Sequence, residues 1–300
     1  MSESPHHPVD LDLRLVRYFV AVADHRHFGR AADALRIGQP SLSRQIRALE
    51  KQLGARLLDR TPQGSRLTEA GEAFLPRAKA LLRSAALAAT VARAAAQPNR
   101  ITIGYTTNLV ITPVTRELRH RYPDTDVSTQ HLNWSDPRAA LLEGRVDAVV
   151  ARLPFPTSQL HVTILYDEPR MLMVSTEHRL AGKESVTLDD IADEPIPRLP
   201  DPEWNAFWRI DPRPDGTRAP DGPLVNALQD KLELIASGQA VAIVPGDTAS
   251  ARLDLTTIPL HGVEPSRIVL ATRADDRNRL LDALRKSALA HLTGPAETSD

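Results

Sequence analysis

Apolar residues recur at helical spacing between Gln39 and Gly54. When each residue is turned by roughly 100°, four of them fall within an arc of about 60°; these are Leu42, Ile46, Leu49 and Leu53. The opposite side carries a proline, a serine and three cations, with no carboxylate directly among them, namely Pro40, Ser43, Arg44, Arg47 and Lys51. The pattern predicts a helix with one buried and one cationic face, which begins after Gly38 and ends at Gly54.

A shorter amphipathic helix precedes this one. Its apolar positions keep the i, i+3, i+4, i+7 spacing from Phe28 to Leu35, and Ile37-Gly38 forms a tight connection. Two helices joined by so short a turn indicate a helix-turn-helix. An ordinary surface helix with a solvated cationic face would give the same pattern. The segment after Gly54 distinguishes this interpretation from a helix-turn-helix.

The segment after Gly54 has the features of a β-hairpin. Two short apolar runs, Leu57-Leu58 and Leu67, flank the turn-forming residues Thr61–Ser65. Three arginines lie on the arms of the hairpin: Arg56, Arg60 and Arg66. Such a hairpin is typical of a wing, which can place arginine side chains against phosphates or in a minor groove beside a recognition helix.

Three stretches of this region follow one another in a known order and spacing: FGRAADAL, QPSLSRQIRALEKQLGARLLDRT and RLTEAG. They resemble the N-terminal domain of the LysR-type transcriptional regulators. The resemblance implies sequence-specific binding to a double-stranded DNA operator, with Pro40 against a thymine methyl group and Arg66 in a minor groove. The other side chains expected to approach base edges or phosphates are Gln39, Ser43, Arg44 and Arg47, together with Arg60 of the wing.

Charge is distributed unevenly along the chain. Residues 11–67 carry eleven cations and five carboxylates, a net charge of +6, which leaves −7 for the remainder because the overall net charge is −1. A basic module attached to an acidic body suits DNA binding. The absence of cysteine excludes disulfides, thiol catalysis and cysteine metal sites. Since neither a secretory signal nor a run of about 18 apolar residues is found, we expect a cytoplasmic protein without a membrane span.

A longer helix is predicted over 68–97, with Thr68 as its N-cap. Its small and apolar residues alternate steps of four and three, a period of about 3.5 that is typical of helix–helix dimerisation. The positions are Leu67, Gly71, Phe74, Ala78, Leu81, Ala85, Ala88, Ala92 and Ala95. Pro76 should kink this helix or shift its start, and Gln97–Asn99 is the expected hinge. The alternative is a single helix on the side of a globular domain, but DNA half-sites require a dimer, so we expect a homodimer or a dimer of dimers.

From Arg100 onward, predicted strands alternate with predicted helices, and this alternation indicates a parallel α/β sheet. The predictions include a strand at Ile101–Thr106 and helices at Asn108–Tyr122, Leu188–Ala192 and Leu224–Ala236. The last strand and helix are expected to return to the first set. This places lobe I at about 100–163 and 266–292, and lobe II at about 164–265.

The stretches DVSTQHL, LLEGRVDAVVAR and SGQAVAIVPG resemble the regulatory half of the LysR family, which looks like a type 2 periplasmic-binding-protein fold. The fold class is therefore α/β overall. It combines an all-α winged helix-turn-helix domain over 11–67, a dimerisation helix over 68–97 and a two-lobed α/β domain over 100–300. The chain departs from the family pattern at two places. The loop Asp211–Pro223 is long, so the family does not predict its length. Asn133-Trp134 replaces the more usual small polar residues, so the family does not predict the shape of the effector.

Ligands of two-lobed folds lie in the cleft between the lobes, where helix N-termini and side chains of both lobes meet them. Five candidates belong to lobe I and one to lobe II, and these are Thr106, Thr107, Asn108, His131 and Arg152, and Arg198. The set would suit a small carboxylate. Purely structural roles compete with this interpretation, since threonine at a strand end is commonly a cap and an exposed arginine commonly forms a surface ion pair.

Motifs of common enzyme classes are missing from the sequence. There is no G-x-S-x-G, H-E-x-x-H, G-x-G-x-x-G after a strand or G-x-x-x-x-G-K-[ST], and His25 and His27 have no nucleophile or ligand spacing beside them. We therefore expect a transcriptional regulator rather than an enzyme, with no cofactor and no metal. Its expected partners are an operator, a small-molecule effector and a second copy, with RNA polymerase as a further candidate. The alternatives are a ligand-independent architectural DNA-binding protein and, less favoured, a solute-binding protein.

Overall fold

The chain divides into an N-terminal unit, residues 1–93, and a C-terminal unit, residues 94–300. The structure, a computed structural model, describes residues 10–61, 64–96, 99–246, 252–276 and 278–294, without the side chains of 60, 61 and 93–95. Residues 1–9 and most of the predicted hinge at Gln97–Asn99 lie outside the described residues.

The N-terminal unit is a winged helix-turn-helix followed by one long helix. In chain order it contains α1 (Leu13–His25), α2 (Phe28–Leu35), α3 (Gln39–Leu53), β1 (Leu58–Thr61), β2 (Gly64–Leu67) and α4 (Glu69–Ala96). Phe19, Leu42 and Leu49 are fully buried in its core. The predicted helix-turn-helix and wing are confirmed, with β1 and β2 pairing as an antiparallel hairpin.

Helix α3 has the ends that its sequence indicates. Gly38 is the N-cap, Pro40 lies in the first turn, where no backbone N–H is needed, and Gly54 closes the helix at a φ of 67°. Leu42, Ile46 and Leu49 are buried, as the apolar arc predicts.

The wing is fastened to its neighbours by hydrogen bonds on both arms. On the first arm, Glu50 Oε1 of α3 accepts from the backbone N–H groups of Leu57 and Leu58, at 2.8 and 3.2 Å. After the second arm, Thr68 Oγ1 donates to the carbonyl of Arg56 and accepts from Gly71 N at 3.0 Å. A Cβ on Gly71 would overlap the carbonyl oxygen of Leu57, so only glycine lets α4 pack this closely on the hairpin.

Helix α4 runs unbroken from Glu69 to Ala96, with Pro76 inside it. The first half of the predicted dimerisation seam packs on its own domain, since Ala78 is fully buried and the Phe74 ring lies 5.3 Å from that of Phe19. Four residues further along form an exposed strip on one face: Leu81, Ser84, Ala88 and Val91. Of the predicted seam, Leu81 and Ala88 belong to this strip, Ala92 is also exposed, Ala85 is partly buried, and the Ala95 side chain lies outside the described part.

The C-terminal unit is a two-lobed α/β domain. Its elements are β3 (Arg100–Thr106), α5 (Thr112–Arg121), β4 (Asp126–Leu132), α6 (Pro137–Leu142), β5 (Ala148–Arg152), β6 (Leu160–Glu168), β7 (Arg170–Ser175), β8 (Ile196–Arg198), α7 (Pro202–Arg209), β9 (Asp221–Leu224), α8 (Leu228–Ala236), β10 (Ala242–Pro245), β11 (Leu255–Pro259), β12 (Ser266–Arg273) and α9 (Leu280–His291).

Lobe I is built on a five-stranded sheet in the order β4-β3-β5-β12-β6. Strands β4 and β5 run parallel to β3, whereas β12 is antiparallel to both β5 and β6. Helices α5 and α9 cover one face over a core that includes Ile101, Ile103 and Leu284. As predicted, the last strand and helix return to this lobe.

Lobe II contains a three-stranded antiparallel sheet, β10-β7-β11, and a parallel pair, β8-β9. Helix α7 is held by Asp201, whose carboxylate accepts from Trp204 N at 2.8 Å, and by Arg209 at its last turn. Arg209 is 1% exposed and donates to Asp211, Asp221 and the carbonyl of Ala219. The long loop at 211–223 is thus fastened to α7 instead of extending into solvent.

Five features differ from the sequence prediction. The sheet of lobe I is mixed rather than parallel, because β12 enters it after the chain has passed through lobe II. Strand β6 belongs to lobe I, so the first boundary lies at Glu168–Arg170 rather than near 164. Helix α5 begins at Thr112, since Asn108 has a left-handed φ of 60° that a helix cannot contain. Helix α8 begins at Leu228, since Asp221–Leu224 pairs with β8, and Asp189–Ile191 is a 3-10 turn.

Candidate DNA-binding face and ligand cleft

The outer side of α3 is a cationic surface. Gln39, Pro40, Arg44 and Arg47 are exposed, as their position opposite the apolar arc predicts. Arg47 Nε donates to the carbonyl of Ser43 at 3.3 Å, which holds the arginine side chain along the helix. The surface is thus cationic and exposed, as binding to a large anionic partner requires.

Ser43 does not belong to this surface, because its side chain is only 7% exposed. It lies about 100° from Leu42 around the helix, so the packing that buries the apolar arc covers Ser43 as well. On the wing, Arg66 is exposed opposite Asp59 in the hairpin register. Arg60 lies in β1, and its side chain falls outside the described residues.

Two residues position these elements in ways that the sequence interpretation missed. His27 caps α2, since its Nδ1 accepts from the backbone N–H groups of Gly29 and Arg30 at 3.1 and 3.3 Å. Glu50 fastens the wing to α3, as described above. The sequence does not indicate this contact. Glu50 lies in α3, four positions before Gly54, whereas the backbone groups that it binds belong to Leu57 and Leu58, after the helix has ended.

A cavity of about 140 Å³ opens between the two lobes of the C-terminal unit. It lies at the carboxyl ends of β3 and β5, where ligands of open α/β sheets commonly bind. Lobe I contributes Thr106, Thr107, Asn108, Trp134 and Arg152, and lobe II contributes Leu199, Trp204, Trp208, Val225, Asn226, Ala227, Leu228, Lys231, Leu232, Val244 and Pro245.

Four of the predicted effector residues meet at this cavity: Thr106, Thr107, Asn108 and Arg152. They do not include a helix N-terminus, since a turn separates Asn108 from α5. His131 does not line the cavity, although its Nε2 lies 3.2 Å from Thr107 Oγ1. Arg198 also lies outside the lining; its side chain is exposed, and its Nε donates to the carbonyl of Gly222 at 3.0 Å.

Arg152 has its charge balanced inside lobe I. Its Nε and one terminal nitrogen donate to the two oxygens of Glu168 at 2.7 and 2.9 Å, and its other nitrogen donates to the carbonyl of Thr107 at 2.6 Å. Ser266 Oγ, 3.1 Å away, donates to the same carboxylate. Arg152 and Glu168 are 5% and 4% exposed, so the pair is a buried ion pair that supports the lobe I side of the cleft.

All three tryptophans of the protein line the cavity. Trp134 of lobe I stacks on Trp204 of lobe II, with ring centroids 5.3 Å apart and planes 16° apart, and Trp208 meets the edge of Trp204 at 5.8 Å. The indole N–H of Trp208 is buried and has no hydrogen-bond acceptor in the described part of the chain. The two lobes therefore meet across the cleft through an aromatic contact.

Lys231, in the first turn of α8, is a charged residue of the cleft that the sequence interpretation missed. It is half-buried, and none of the described residues forms an ion pair or side-chain hydrogen bond with it. Removal from water lowers the pKa of its ammonium group to about 8. Because α8 was predicted to begin at Leu224, the sequence alone did not place Lys231 near a helix start or a cleft.

A winged helix-turn-helix with a cationic face and a two-lobed α/β unit with a ligand-sized cleft define a class of protein, the ligand-responsive DNA-binding regulators. Comparison with known proteins narrows the class. A model of the LysR substrate binding domain matches residues 94–293, and a model of the bacterial regulatory helix-turn-helix protein, lysR family, matches residues 13–72. The chain belongs to the LysR family of transcriptional regulators.

Similar proteins cover nearly the whole chain. The HTH-type transcriptional regulator AlsR of Bacillus subtilis (strain 168) is 30% identical over 284 residues, which span 90% of this chain and 93% of AlsR. The crystal structure of full-length BenM has a TM-score of 0.55 and 29% identity, covering 96% of this chain and all of BenM. Full-length CbnR, solved in complex with its target DNA, has a TM-score of 0.50 and 25% identity, covering 93% of this chain. The solved structures thus support the two-domain architecture along the chain.

The comparisons agree with the expectation of a regulator, since the matching proteins are transcriptional regulators. In the part of the chain that the structure describes, no helix is long and apolar enough to cross a membrane. The same residues contain no group of three or more histidine, aspartate or glutamate side chains that could hold a metal ion.

Proposed function

We propose that this regulator binds its operator through α3 and the wing, and that a small molecule bound between the two lobes controls that binding. The observation that carries the proposal is the cavity, which has an apolar wall and a lysine without an ion-pair partner among the described residues. A ligand that contacts both lobes has different affinities for different lobe arrangements. This difference is what shifts a conformational equilibrium.

On the DNA side, Gln39, Pro40, Arg44 and Arg47 form the proposed reading surface, with Arg66 of the wing beside it. Their exposure on one helix face supports this assignment. Arginine reads guanine and glutamine reads adenine in the major groove through paired hydrogen bonds. The buried Ser43 is left out of the proposed surface.

Replacing Arg44 with alanine is expected to weaken operator binding by about 1–3 kcal/mol and to relax the base preference at one position. The measurement is fluorescence anisotropy on the DNA that the wild-type protein selects from a random pool. Arg17→Ala is the matched control, because Arg17 is an exposed arginine on α1, away from the α3 surface. Unchanged affinity together with an unchanged selected sequence would remove Arg44 from the reading surface.

Assembly is proposed to use the exposed strip of α4, which consists of Leu81, Ser84, Ala88 and Val91. These residues follow steps of three and four, the spacing of a helix–helix seam, and they are exposed in a single copy. Pairing along this strip would give the two recognition helices that a two-half-site operator needs.

The ligand side of the proposal is tested by screening the full-length protein with a chemically broad set of small anions, neutral rings and sugars. Intrinsic fluorescence reports binding directly, because every tryptophan lines the cleft. A compound that changes the fluorescence is expected to change operator affinity or the length of DNA protected from cleavage. If no compound of the set binds, or if binding leaves the DNA complex unaltered, the ligand-independent architectural alternative replaces this one.

A further inference from the structure

Among the described residues, the charges around the cleft leave one cation without a counter-ion. Arg152 is balanced by Glu168, and no described residue that lines the cavity is a carboxylate. Lys231 thus lines the cavity as an ammonium group with no counter-ion among the described residues. Helix α8 adds to the positive potential, because Ala227 at its N-cap provides no side-chain acceptor for the first backbone N–H groups.

The shape and lining of the cavity favour a flat ring. Trp134 and Trp204 stack on each other, so a ligand ring that contacts both meets their edges, and the π-face of a planar ring packs against aromatic edges better than a saturated ring does. The volume of about 140 Å³ suits one six-membered ring, since an apolar cavity of about 150 Å³ accepts benzene.

We propose that the ligand of this cleft is a planar single-ring compound with one anionic group, whose ring packs against Trp134 and Trp204 and whose anionic group binds Lys231. The inference rests on the proposed function, because it specifies the ligand of the same cleft. Since Trp134 belongs to lobe I and Trp204 to lobe II, the ring contacts both lobes at once. The ligand thereby stabilises the arrangement in which the two indoles lie together.

The test is calorimetric titration of the full-length protein with matched probes. The ring anions are benzoate, salicylate, anthranilate and phenylacetate; each is paired with its uncharged carboxamide, and benzoate is also paired with cyclohexanecarboxylate, which keeps the charge and loses the planarity. At least one ring anion is expected to bind at least tenfold more tightly than its carboxamide, because an ion-paired hydrogen bond is lost in the amide. We also expect cyclohexanecarboxylate to bind at least tenfold more weakly than benzoate.

Two variants locate the two contacts. Lys231→Met is expected to reduce the affinity for the ring anion to that of the carboxamide, while Lys286→Met, the same change at an exposed lysine of α9, leaves it at the wild-type value. Trp204→Leu is expected to abolish the preference for benzoate over cyclohexanecarboxylate. Wild-type circular dichroism and operator binding establish that each variant is folded.

The pH profile separates an ion pair from a merely structural role of Lys231. The ammonium form predominates below its pKa of about 8, so affinity for the ring anion should be constant below this pH and fall towards tenfold per unit above it. The profile of Lys231→Met should be flat. The other charged groups on α8, across the cleft or on β7 are either exposed or engaged: Asp230 is exposed, Glu233 binds Arg252, Arg152 binds Glu168, and Arg170 donates to the carbonyls of Phe207 and Glu264.

Each outcome bears on a separate part of the inference. Equal binding of a ring anion and its carboxamide, or wild-type affinity in Lys231→Met, overturns the ion pair. Equal binding of benzoate and cyclohexanecarboxylate overturns the ring contact. If the ring anions fail while the broader screen finds another ligand in the cleft, the ligand class is wrong and the proposed function stands. If nothing binds in either experiment, the proposed function itself fails.

Discussion

Replacing Arg152 with methionine should destabilise the C-terminal unit by about 3–5 kcal/mol, because it leaves the carboxylate of Glu168 buried without its counter-ion. The effect is large since both oxygens of Glu168 are bonded to Arg152 and both residues are about 95% buried. The carbonyl of Thr107 loses a donor as well. The measurement is urea-induced unfolding followed by tryptophan fluorescence, which reports the C-terminal unit alone because all three tryptophans lie there.

Two controls separate the ion pair from the size of the side chain. The double variant Arg152→Met/Glu168→Met should recover most of the lost stability, because no charge is then left buried. Arg267→Met removes an arginine from an exposed pair with Asp167 on the neighbouring strands β12 and β6, and should lie within about 1 kcal/mol of wild type. Near wild-type stability of Arg152→Met would show that Arg152 is available to a ligand after all.

The double variant Leu81→Asp/Val91→Asp should be monomeric, and its operator affinity should fall by orders of magnitude. Val91 is 61% exposed in a single copy, and a second helix along the exposed strip would bury it. The two new carboxylates of each copy would then be buried against the carboxylates of the second copy, which costs several kcal/mol for each buried charge. Sedimentation velocity measures the oligomer, and anisotropy measures DNA binding.

Ala89→Asp is the matched control for this pair, because Ala89 is exposed on another side of α4. It should keep the wild-type oligomer and the wild-type operator affinity. Phe74, although it belongs to the predicted seam, is unsuitable for the test, since its ring packs on Phe19 and a charge there would disrupt its own domain. If the double variant sediments as the wild type does, another surface forms the dimer.

The helix-turn-helix could be predicted from the sequence because its contacts are local. The buried positions Leu42, Ile46 and Leu49 follow the helical period, and the ends of α3 are set by Gly38, Pro40 and Gly54, all within one short segment. The same reasoning failed for Ser43, which lies at the margin of the apolar arc. Whether such a side chain is buried depends on how the neighbouring helices pack, and the helical period of α3 does not determine that packing.

The cleft shows what only the tertiary structure decided. Sequence reasoning found Thr106, Thr107 and Asn108, because a strand end followed by polar residues marks the carboxyl edge of a sheet. It proposed Arg152 and Arg198 as effector-binding cations, but a partner such as Glu168 is chosen by the strand order β5-β12-β6, which sequence separation does not reveal.

The contacts that distinguish this cleft join residues far apart in the chain. Trp134 and Trp204 stack although 70 positions separate them, and Lys231 reaches the same cavity from a helix whose start was set by the pairing of β9 with β8. The sequence determined the family, the order of the domains and the local elements, since each depends on short-range periodicity. The tertiary structure decided which charges are balanced and which are left for a ligand, because charge balance depends on distances between elements that meet only after the lobes have folded.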